Sequence, residues 1–526
     1  MKRTEPLRSV WVAAGLALIV CVACAGQSTQ PGTANQTLIV EQNFAFRSLD
    51  PAGADMQTDI VSLKSVYDTL MALNPKDLTK PYPALATSVT VSTDAKTFTF
   101  QLRKDVKFAS GNPMTSADVV FSLNRLAKSS HVNSAQVMSG LSVSAPDPYT
   151  VVVTSATPNP AVPVILTQAQ AGILDSQLVN QMEGPEYPGD QATNNYLNSH
   201  SAGSGPYELD TVDQTTQIVF KANPRYWGSK PKYSTIILRN VPAATQRLDI
   251  QDGQAQLALD VTAQDSASLS SSVNVIAAPS LDNFFLMLNL NPSVSKLSSN
   301  ADFREAVKYG IDYNGLLALA GRGSVQVSGF IPKGVLGALP GSDDTQRDVA
   351  RAQAAIARLG VSNPTINLSY ATDQAQDGVT LAPIAAKIQS DLKEVGITVN
   401  LVAAPFATMA PSVEGGKLAF WLAANPADYP DPADFLPLSP GSPNGYFAGF
   451  ANWKRGMNPD IDALSDQASS ATDPTIRGSA YQALQQAVNA QSVFIWLFQP
   501  GRVLVTAKGV NATLNPFNSV DFGSIT

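Results

Sequence analysis

Alternating hydrophobic and polar residues mark several short strands along the chain. Between Thr97 and Arg103, the side chains of Phe98, Phe100 and Leu102 fall on one face. Because successive side chains of a strand point to opposite faces, this pattern predicts a half-buried strand. The same pattern predicts further strands at Thr37–Val40, Thr150–Thr154 and Gln217–Lys221.

Helices are predicted where apolar residues recur every three or four positions between start and stop signals. Thr115 precedes Asp118 by three residues, which is the spacing of a capping box, and an apolar face follows at Val119, Leu123 and Leu126. This pattern predicts a helix that begins next to Thr115.

Further helices are predicted in the second half of the chain. One begins at Thr345, with Asp348 three residues later, and ends at Gly360; another begins at Asp473 before Pro474. The predicted inward faces are Val349, Ala352, Ile356 and Leu359 in the first, Ile384, Ile388, Leu392 and Val395 in a second that precedes a strand, and Ile476, Ala480 and Leu484 in the third. Since helices alternate with strands, the predicted class is α/β, with mixed α and β structure.

Composition places the chain among globular proteins of several domains. It has 526 residues, of which 44% are hydrophobic and 15% are charged. The formal charge is −7, whereas a protein that binds nucleic acid needs clustered Lys and Arg to release phosphate counterions. We therefore expect no nucleic-acid partner.

The first residues have the pattern of an export signal. Lys2, Arg3 and Arg8 precede an uncharged run, Val10–Ala23, which is shorter than the roughly 20 residues of a membrane span. Small residues then lead to Cys24, and a polar stretch follows it. The body of the protein is therefore expected outside the cytoplasm.

The residues around Cys24 resemble the lipobox of bacterial lipoproteins, although Cys21 stands where that pattern usually has Leu. The resemblance implies a signal peptide over residues 1–23 and a lipidated tether over residues 24–36. The protein would then be lipid-anchored at the outer face of the cytoplasmic membrane. The alternative is an ordinary signal peptide cut near Ala23 or Ala25.

The sequence contains no nucleophile elbow, zinc-protease motif or phosphate loop of the common enzyme classes. Its two histidines, His131 and His200, lie among polar residues typical of exposed loops. The scarcity of His and Cys argues against a metal site built by the protein itself. A secreted hydrolase with paired carboxylates stays open on composition, because many acidic pairs are available.

Blocks of sequence spread over nearly the whole chain match one family in order. The longest runs from Pro83 to Leu126 and follows YDTLMALNP at Tyr67. The others are GSGPYEL at Gly203–Leu209, NPRYWG at Asn223–Gly228, DFREAVKYGID at Asp302–Asp312, ADYPDPADFL at Ala427–Leu436 and NPDIDAL at Asn458–Leu464. Together they resemble the family 5 solute-binding proteins, the extracytoplasmic receptors of ABC importers for peptides and nickel.

The resemblance implies a two-lobed fold of the periplasmic-binding-protein type, with an additional domain and a ligand cleft between the lobes. Lobe I would consist of residues 37–82, 203–282 and 494–526, the additional domain of residues 83–202, and lobe II of residues 283–493. Several chain crossings between the lobes would form a hinge that closes the cleft.

The resemblance also implies a function. The chain would be a monomeric receptor, without enzymatic activity or cofactor, that captures di- or oligopeptides and delivers them to the permease subunits of an ABC importer. Its contact with the membrane would run through the lipid anchor. Other members of the family bind metal chelates, haem or oligosaccharides, and these stay open as alternative ligands.

Several residues are expected at the ligand by this resemblance. Asp428 matches the aspartate with which peptide-binding members hold the ligand's terminal ammonium. Asp55 falls where oligopeptide receptors place an acidic residue near the ligand, and Asn283–Asn289 matches the strand that borders the pocket. The aromatic side chains expected to face the ligand are Phe284, Phe285, Trp421 and Tyr429.

The chain departs from the peptide receptors at positions near Asp428. Asn425 replaces an aromatic residue three positions before this aspartate, and Leu422 replaces an arginine three positions earlier still. The arginine with which dipeptide receptors bind the ligand carboxylate has no match within Ala371–Ala382. We include Asn425 among the expected ligand contacts, and expect either a longer peptide or a ligand that is not a simple peptide.

Overall fold

A computed structural model describes residues 36–129, 132–184, 196–341, 346–440, 446–517 and 520–526. Its strands, in chain order, are β1 (Thr37–Gln42), β2 (Met71–Asn74), β3 (Asp77–Pro83), β4 (Ala86–Val91), β5 (Thr97–Leu102), β6 (Leu141–Asp147), β7 (Thr150–Ser155), β8 (Tyr207–Asp213), β9 (Gln217–Ala222), β10 (Thr235–Asn240), β11 (Leu257–Ala258), β12 (Val273–Pro279), β13 (Asn283–Leu288), β14 (Thr365–Ala371), β15 (Ala375–Gln376), β16 (Val379–Thr380), β17 (Thr398–Ala404), β18 (Phe420–Asn425), β19 (Phe494–Phe498) and β20 (Gly501–Ala507).

The α-helices are α1 (Gln57–Val66), α2 (Ser116–Ala127), α3 (Val132–Gln136), α4 (Val162–Ile165), α5 (Ser176–Glu183), α6 (Ala243–Gln251), α7 (Ala301–Gly310), α8 (Tyr313–Ala320), α9 (Val349–Leu359), α10 (Leu381–Glu394), α11 (Phe406–Glu414), α12 (Tyr446–Phe450), α13 (Pro459–Ser470) and α14 (Pro474–Gln491). Short 3-10 helices include Pro51–Gly53 and Pro432–Leu438. The α/β class predicted from the sequence is confirmed.

The local patterns that predicted strands correspond to β1, β5, β7 and β9. In β5, the alternating residues Phe98, Phe100 and Leu102 are buried, as expected. The capping box is also present, because the Asp118 carboxylate accepts a hydrogen bond from the Thr115 backbone N–H at 2.8 Å. Helix α2 therefore begins where the sequence predicts.

Three details of the helix predictions are wrong, and the first is Val349, which the pattern predicts to face inward but which is 36% exposed. Helix α9 begins at Val349 and not next to Thr345, because Asp348 is itself the N-cap and accepts from the Arg351 N–H at 2.9 Å. In α14, Ile476 is 58% exposed instead of inward-facing. The buried side of that first turn is formed by Arg477, whose charge is paired inside the protein.

The seven-stranded sheet has the strand order β12-β20-β11-β1-β10-β9-β8. Its strands come from three separated parts of the chain, and β1 runs parallel to β10 and β11. Every hydrophobic side chain on one face of β1 is fully covered, as shown by Leu38 and Val40.

The five-stranded sheet has the order β17-β14-β18-β13-β19, with β14, β17 and β18 parallel. A four-stranded antiparallel sheet, β4-β5-β7-β6, lies in sequence between β1 and β8 of the seven-stranded sheet. Strand β2 pairs with β3 in a hairpin. The division into lobes stays a prediction, but β19 pairs with β13 in the five-stranded sheet. Residues 494–498 therefore pack with the segment expected to form lobe II.

The chain passes between the two large sheets after β12 and after β19. These crossings are joined, because Ser280 N–H donates to the Pro500 carbonyl at 2.9 Å and Gln499 Nε2 donates to the Ser280 carbonyl at 2.7 Å. Within the described ranges, none of the helices combines the length and apolar character needed to cross a bilayer.

Candidate functional site

The segment that follows β18 forms the candidate site. In sheets with parallel strands, ligands bind beyond the carboxyl ends of the strands. Strands β14, β17 and β18 end at the same edge, and the loop after β18 continues into the 3-10 helix Pro432–Leu438. Tyr429 and Ala433 of this segment pack against the core of the four-stranded sheet, so the loop lies where two parts of the fold meet.

Two carboxylates of this segment lie close together. Asp434 Oδ2 accepts the backbone N–H of Asp428 at 2.9 Å and, more weakly, that of Tyr429 at 3.4 Å. The Asp434 side chain therefore holds the backbone from which the Asp428 side chain extends. Asp428 itself is exposed on the surface of the loop.

The electrostatics of the pair favour a cation. Although Asp428 is exposed, surrounding protein atoms remove part of the hydration of its carboxylate and raise its pKa. Burial, and next the charge of Asp428, raise the pKa of Asp434. Burial and then these two carboxylates also raise the pKa of the half-exposed Tyr446 to about 12. Among the described residues, no Lys or Arg forms an ion pair with Asp428 or Asp434. A cationic ligand would supply the missing charge.

The third carboxylate of the segment is already neutralised. Asp431 is buried, and Arg477 of α14 donates to both of its oxygens, at 2.8 Å and 2.5 Å. Asp431 Oδ1 also accepts the Ala433 N–H at 2.9 Å, which caps the 3-10 helix. The negative character of the site thus comes from Asp428 and Asp434.

Of the other expected contacts, Asn425 and Tyr429 belong to the same segment as Asp428. Asn425 is the last residue of β18, is 7% exposed, and pairs with Asn283 across the sheet. Tyr429 is half-buried, and burial, followed by the charge of Asp434, raises its pKa well above the usual range. Both residues are brought to the site by the end of β18.

The other three aromatic residues pack in the cores. Phe284 is fully buried and stacks on Phe498 with ring centroids 4.6 Å apart. Phe285, also fully buried, meets Trp421 edge to face at 6.1 Å. Strand β13, which contains both phenylalanines, is paired on one side with β18 and on the other with β19. Its backbone is therefore unavailable for pairing with a ligand. The proposed site does not include the rings of Phe284, Phe285 and Trp421.

Asp55 lies away from the β18 edge, in the loop before α1. Arg47 Nη1 contacts its carboxylate at 2.6 Å, so the charge is compensated within the protein. Its expected role near the ligand stays a prediction. Cys24 and His131 lie outside the described residues, while the exposed His200 stacks on Tyr196 with ring centroids 4.7 Å apart.

A second charged cluster, which the sequence did not reveal, joins the two large sheets. Arg502 of β20 donates from Nε to Asp377 Oδ1 at 2.7 Å, and its Nη2 lies 3.9 Å from Asp282 Oδ2. Burial, and next the charge of Asp377, raise the pKa of Asp282 to about 7. Asp282 also accepts the backbone N–H of Ala427 at 3.2 Å, next to the site.

Asp434, Arg477 and Arg502 were missed by sequence reasoning for different reasons. Asp434 lies in the ADYPDPADFL block, six residues after Asp428, and its position there was a usable signal. Arg477 and Arg502 come from distant elements, and no local pattern connects them with the loop after β18.

Comparisons with known proteins agree with this architecture. The family model for bacterial extracellular solute-binding proteins, family 5 Middle, matches residues 80–447. A probable D,D-dipeptide-binding periplasmic protein DdpA of Escherichia coli is 29% identical over 534 residues, covering 98% of each chain. A glutathione-binding protein GsiB of Escherichia coli is 27% identical over 525 residues, covering 96% of this chain and 94% of the relative. The structure of HbpA2 from Haemophilus parasuis superposes with a TM-score of 0.82 at 22% identity, covering 93% of this chain and 99% of that one.

Proposed function

Since the chain belongs to the bacterial extracellular solute-binding proteins of family 5, we propose that it captures peptides in a cleft between its lobes. The observation that carries this proposal is the pair Asp428 and Asp434 at the carboxyl end of β18, whose charges no described cation balances. A free peptide amino terminus is an ammonium group, and it would complete the site.

The Asp428 carboxylate binds the ammonium directly in this proposal. A charged hydrogen bond between an ammonium and a carboxylate is shorter and stronger than a neutral one, and partial desolvation strengthens it further. Asn425 and the Tyr446 hydroxyl supply neutral polar groups beside the charge. Asp55 remains a proposed contact from the other side of the cleft.

The relatives support a peptide as the ligand. The names of two of them specify D,D-dipeptides and glutathione, and both align with almost the full length of the chain. Because β13 is paired on both sides, a peptide backbone does not pair with this strand in the proposal, and it meets the loop after β18 instead.

We also propose that the protein works as an exported monomer that delivers its cargo chemically unchanged to an ABC importer permease. The signal-like start and the residues around Cys24 support export and lipid attachment. In this proposal the body lies at the outer face of the cytoplasmic membrane, where a permease receives the peptide.

Mass spectrometry of the purified protein tests the ligand class. The protein is incubated with a pool of two- to eight-residue peptides, washed, examined by native mass spectrometry, and then denatured to release what it holds. We expect intact peptides with free amino termini. Recovery of a metal chelate, haem or an oligosaccharide in place of peptides would reject the peptide proposal, and cleaved peptides would reject a receptor without enzymatic activity.

A further inference from the structure

The sequence Asp-Pro-Ala occurs twice in the chain, and both copies begin a 3-10 helix that the aspartate caps. Asp50 caps the 3-10 helix Pro51–Gly53, and its carboxylate accepts the Ala52 N–H at 3.0 Å. Asp431 caps the 3-10 helix Pro432–Leu438, and its carboxylate accepts the Ala433 N–H at 2.9 Å. Each copy is a proline-led turn held at its first residue.

A buried arginine from a separate helix clamps each of these aspartates. Arg125 of α2 donates to both oxygens of Asp50, and Arg477 of α14 donates to both oxygens of Asp431. In both pairs the arginine side chain is 4% exposed and the aspartate side chain 6% exposed. Bidentate pairing of this kind fixes the carboxylate in orientation as well as in position.

The contacts continue to the proposed ligand site from Asp431. The Asp431 N–H donates to the Tyr429 carbonyl at 2.9 Å, and the Asp434 N–H donates to the Asp431 carbonyl at 3.1 Å. Asp434 in turn accepts the Asp428 N–H at 2.9 Å. A continuous set of hydrogen bonds thus leads from the Arg477 guanidinium to the backbone of Asp428.

The Asp428 side chain depends on this backbone for its position. It is exposed, and no Lys or Arg of the described ranges pairs with it. A carboxylate that binds an ammonium has to be held before the ligand arrives, since ordering it on binding would cost affinity.

We propose that Arg477 is a positioning residue for the ammonium site: through Asp431 and Asp434 it fixes the loop that presents Asp428. This role rests on the proposed function for its ligand, but the fixing of the loop does not depend on the ligand's identity. Arg477 touches no ligand, and its effect is transmitted through the turn that it clamps.

Hydrogen exchange tests the fixing of the loop without any ligand. Arg477→Met removes the clamp on Asp431, and Arg125→Met removes the equally buried clamp on Asp50. Arg125→Met is therefore the matched control for general destabilisation. We expect the amides of Asp428 and Tyr429 to exchange at least tenfold faster in R477M than in the wild type, and to keep the wild-type rate in R125M. Arg477→Lys, which keeps the charge but loses the bidentate fork, should give an intermediate rate if R477M does not fold. Unchanged exchange in R477K and R477M, or an equal rise in R125M, would overturn the proposal.

A binding measurement then separates this proposal from the proposed function. The probe is a pool of two- to eight-residue peptides and the same pool after N-acetylation, and the readout is the ratio of captured free-amine to acetylated peptides. We expect this ratio to fall at least tenfold in R477M, to recover partly in R477K and to stay unchanged in R125M. If the wild type captures both pools equally, the ammonium site is rejected, while the exchange data still decide whether Arg477 fixes the loop. A normal ratio in R477M and R477K would overturn the positioning role.

Discussion

At the scale of single residues, the site after β18 is defined by an imbalance of charge. Asp431 has a buried arginine as its counter-ion, whereas the negative charge of Asp428 acts on Asp434 and raises its pKa. Bringing two carboxylates together in a partly desolvated place is unfavourable until a cation or a proton arrives. We therefore expect the loop to bind an ammonium more tightly than a lone surface aspartate would.

Asp428→Asn is predicted to weaken the binding of free-amine peptides at least about a hundredfold. Removing one partner of a desolvated ion pair costs about 3–5 kcal/mol, and a tenfold change corresponds to roughly 1.4 kcal/mol. Calorimetric titration with a peptide recovered from the wild type measures the change. Because Asp428 is exposed in the empty protein, its melting temperature should stay nearly the same.

The N-acetylated form of the same peptide is the control for this variant. It should bind the wild type about as weakly as the free-amine peptide binds Asp428→Asn, and the variant should discriminate little between the two. Equal wild-type affinity for both forms would show that Asp428 is not an amine anchor, and would favour a chelate or a sugar as the ligand.

Glu41→Gln is predicted to stabilise the protein above neutral pH. Glu41 is buried in β1, and burial followed by the charge of Asp249 raises its pKa from 4.5 to about 7. The native state therefore keeps a proton that the unfolded chain releases, so wild-type stability falls as the pH rises from about 4.5 to 7. Urea unfolding at pH 4.5 and pH 8 should show a gain of about 1–3 kcal/mol for the variant at the higher pH and a much smaller gain at the lower one. A pH-independent difference would contradict the assignment.

Sequence patterns located some site residues but not their environments. Asp428 was found because it lies in a recognisable block, and Arg477 was not, because it reaches Asp431 from 46 residues further along the chain. The rings of Phe284, Phe285 and Trp421 are indistinguishable from cleft residues in a one-dimensional pattern. Which side of β13 and β18 faces a core depends on how the sheet is covered by α-helices, and that is a tertiary property.

At the scale of elements, the start of a helix was predictable where the sequence offered only one residue in a capping position. At the start of α2, the Asp118 carboxylate accepts hydrogen bonds from both the backbone N–H and the hydroxyl of Thr115. At α9, Asp348 can be either the third residue of a capping box or the cap itself, and the chain uses it as the cap. In α14, the buried pair of Arg477 with Asp431 sets the rotation of the first turn, and this turns Ile476 outward.

Asp118→Ala is predicted to destabilise the protein more than Asp348→Ala does. Asp118 is 3% exposed and joins two helices, because its other oxygen accepts the Ser176 N–H at 3.1 Å and hydroxyl at 2.6 Å. Each buried donor left without an acceptor costs about 1–3 kcal/mol. We expect a loss of about 2–4 kcal/mol for D118A, against about 1 kcal/mol for the exposed cap removed in D348A.

Urea unfolding at neutral pH measures both variants. The comparison isolates the second contact of Asp118, since both substitutions remove an aspartate from the start of a helix. Equal losses would mean that the contact with α5 contributes nothing to stability.

At the scale of the whole molecule, the sheets combine segments that are far apart in sequence. In the seven-stranded sheet, Thr37 pairs with Thr235, and β20 joins from the end of the chain. Periodicity predicts a strand but not its partner, so this arrangement was accessible through the family resemblance and not through local patterns. The α/β class was predictable from the local patterns, whereas the two-lobed fold was predicted only through the resemblance.

Cys24→Ala is predicted to release the protein from membranes. The prediction rests on the signal-like start, the small residues before Cys24 and the polar stretch after it. Acyl chains contribute about 0.8 kcal/mol per buried methylene, and more than one chain is needed for durable attachment. Fractionation of cells that produce the wild type or the variant measures this, and a variant that remains with the membrane would contradict lipid anchoring.

We predict that the lobes close when a ligand binds, and that a substitution at the contacts between the two large sheets changes the stability of the closed state. Arg502 of the seven-stranded sheet binds Asp377 in the turn between β15 and β16, a hairpin that follows a strand of the other sheet. The next residue, Gly378, has a φ of +80°, and a Cβ placed there would lie 2.8 Å from Thr262 Cγ2. The hairpin thus fits closely against the loop after β11 and against Arg502 of β20, and we expect these contacts to separate when the lobes open.

Asp377→Asn should therefore weaken the closed state, although Asp377 is not one of the residues proposed to contact the ammonium. Loss of this contact is expected to lower peptide affinity about tenfold, which lies within the typical coupling free energy of about 1–3 kcal/mol. A higher concentration of free-amine peptide should then be needed for compaction. Small-angle scattering should show a smaller radius of gyration on adding peptide to the wild type, and a weaker response of D377N at the same concentration. Asp210→Asn, which removes an exposed pair with Lys221 inside one sheet, is the control and should behave as the wild type. Identical affinity and compaction in D377N would mean that the Arg502–Asp377 contact persists when the lobes open, because a contact present in both states cannot shift the balance between them.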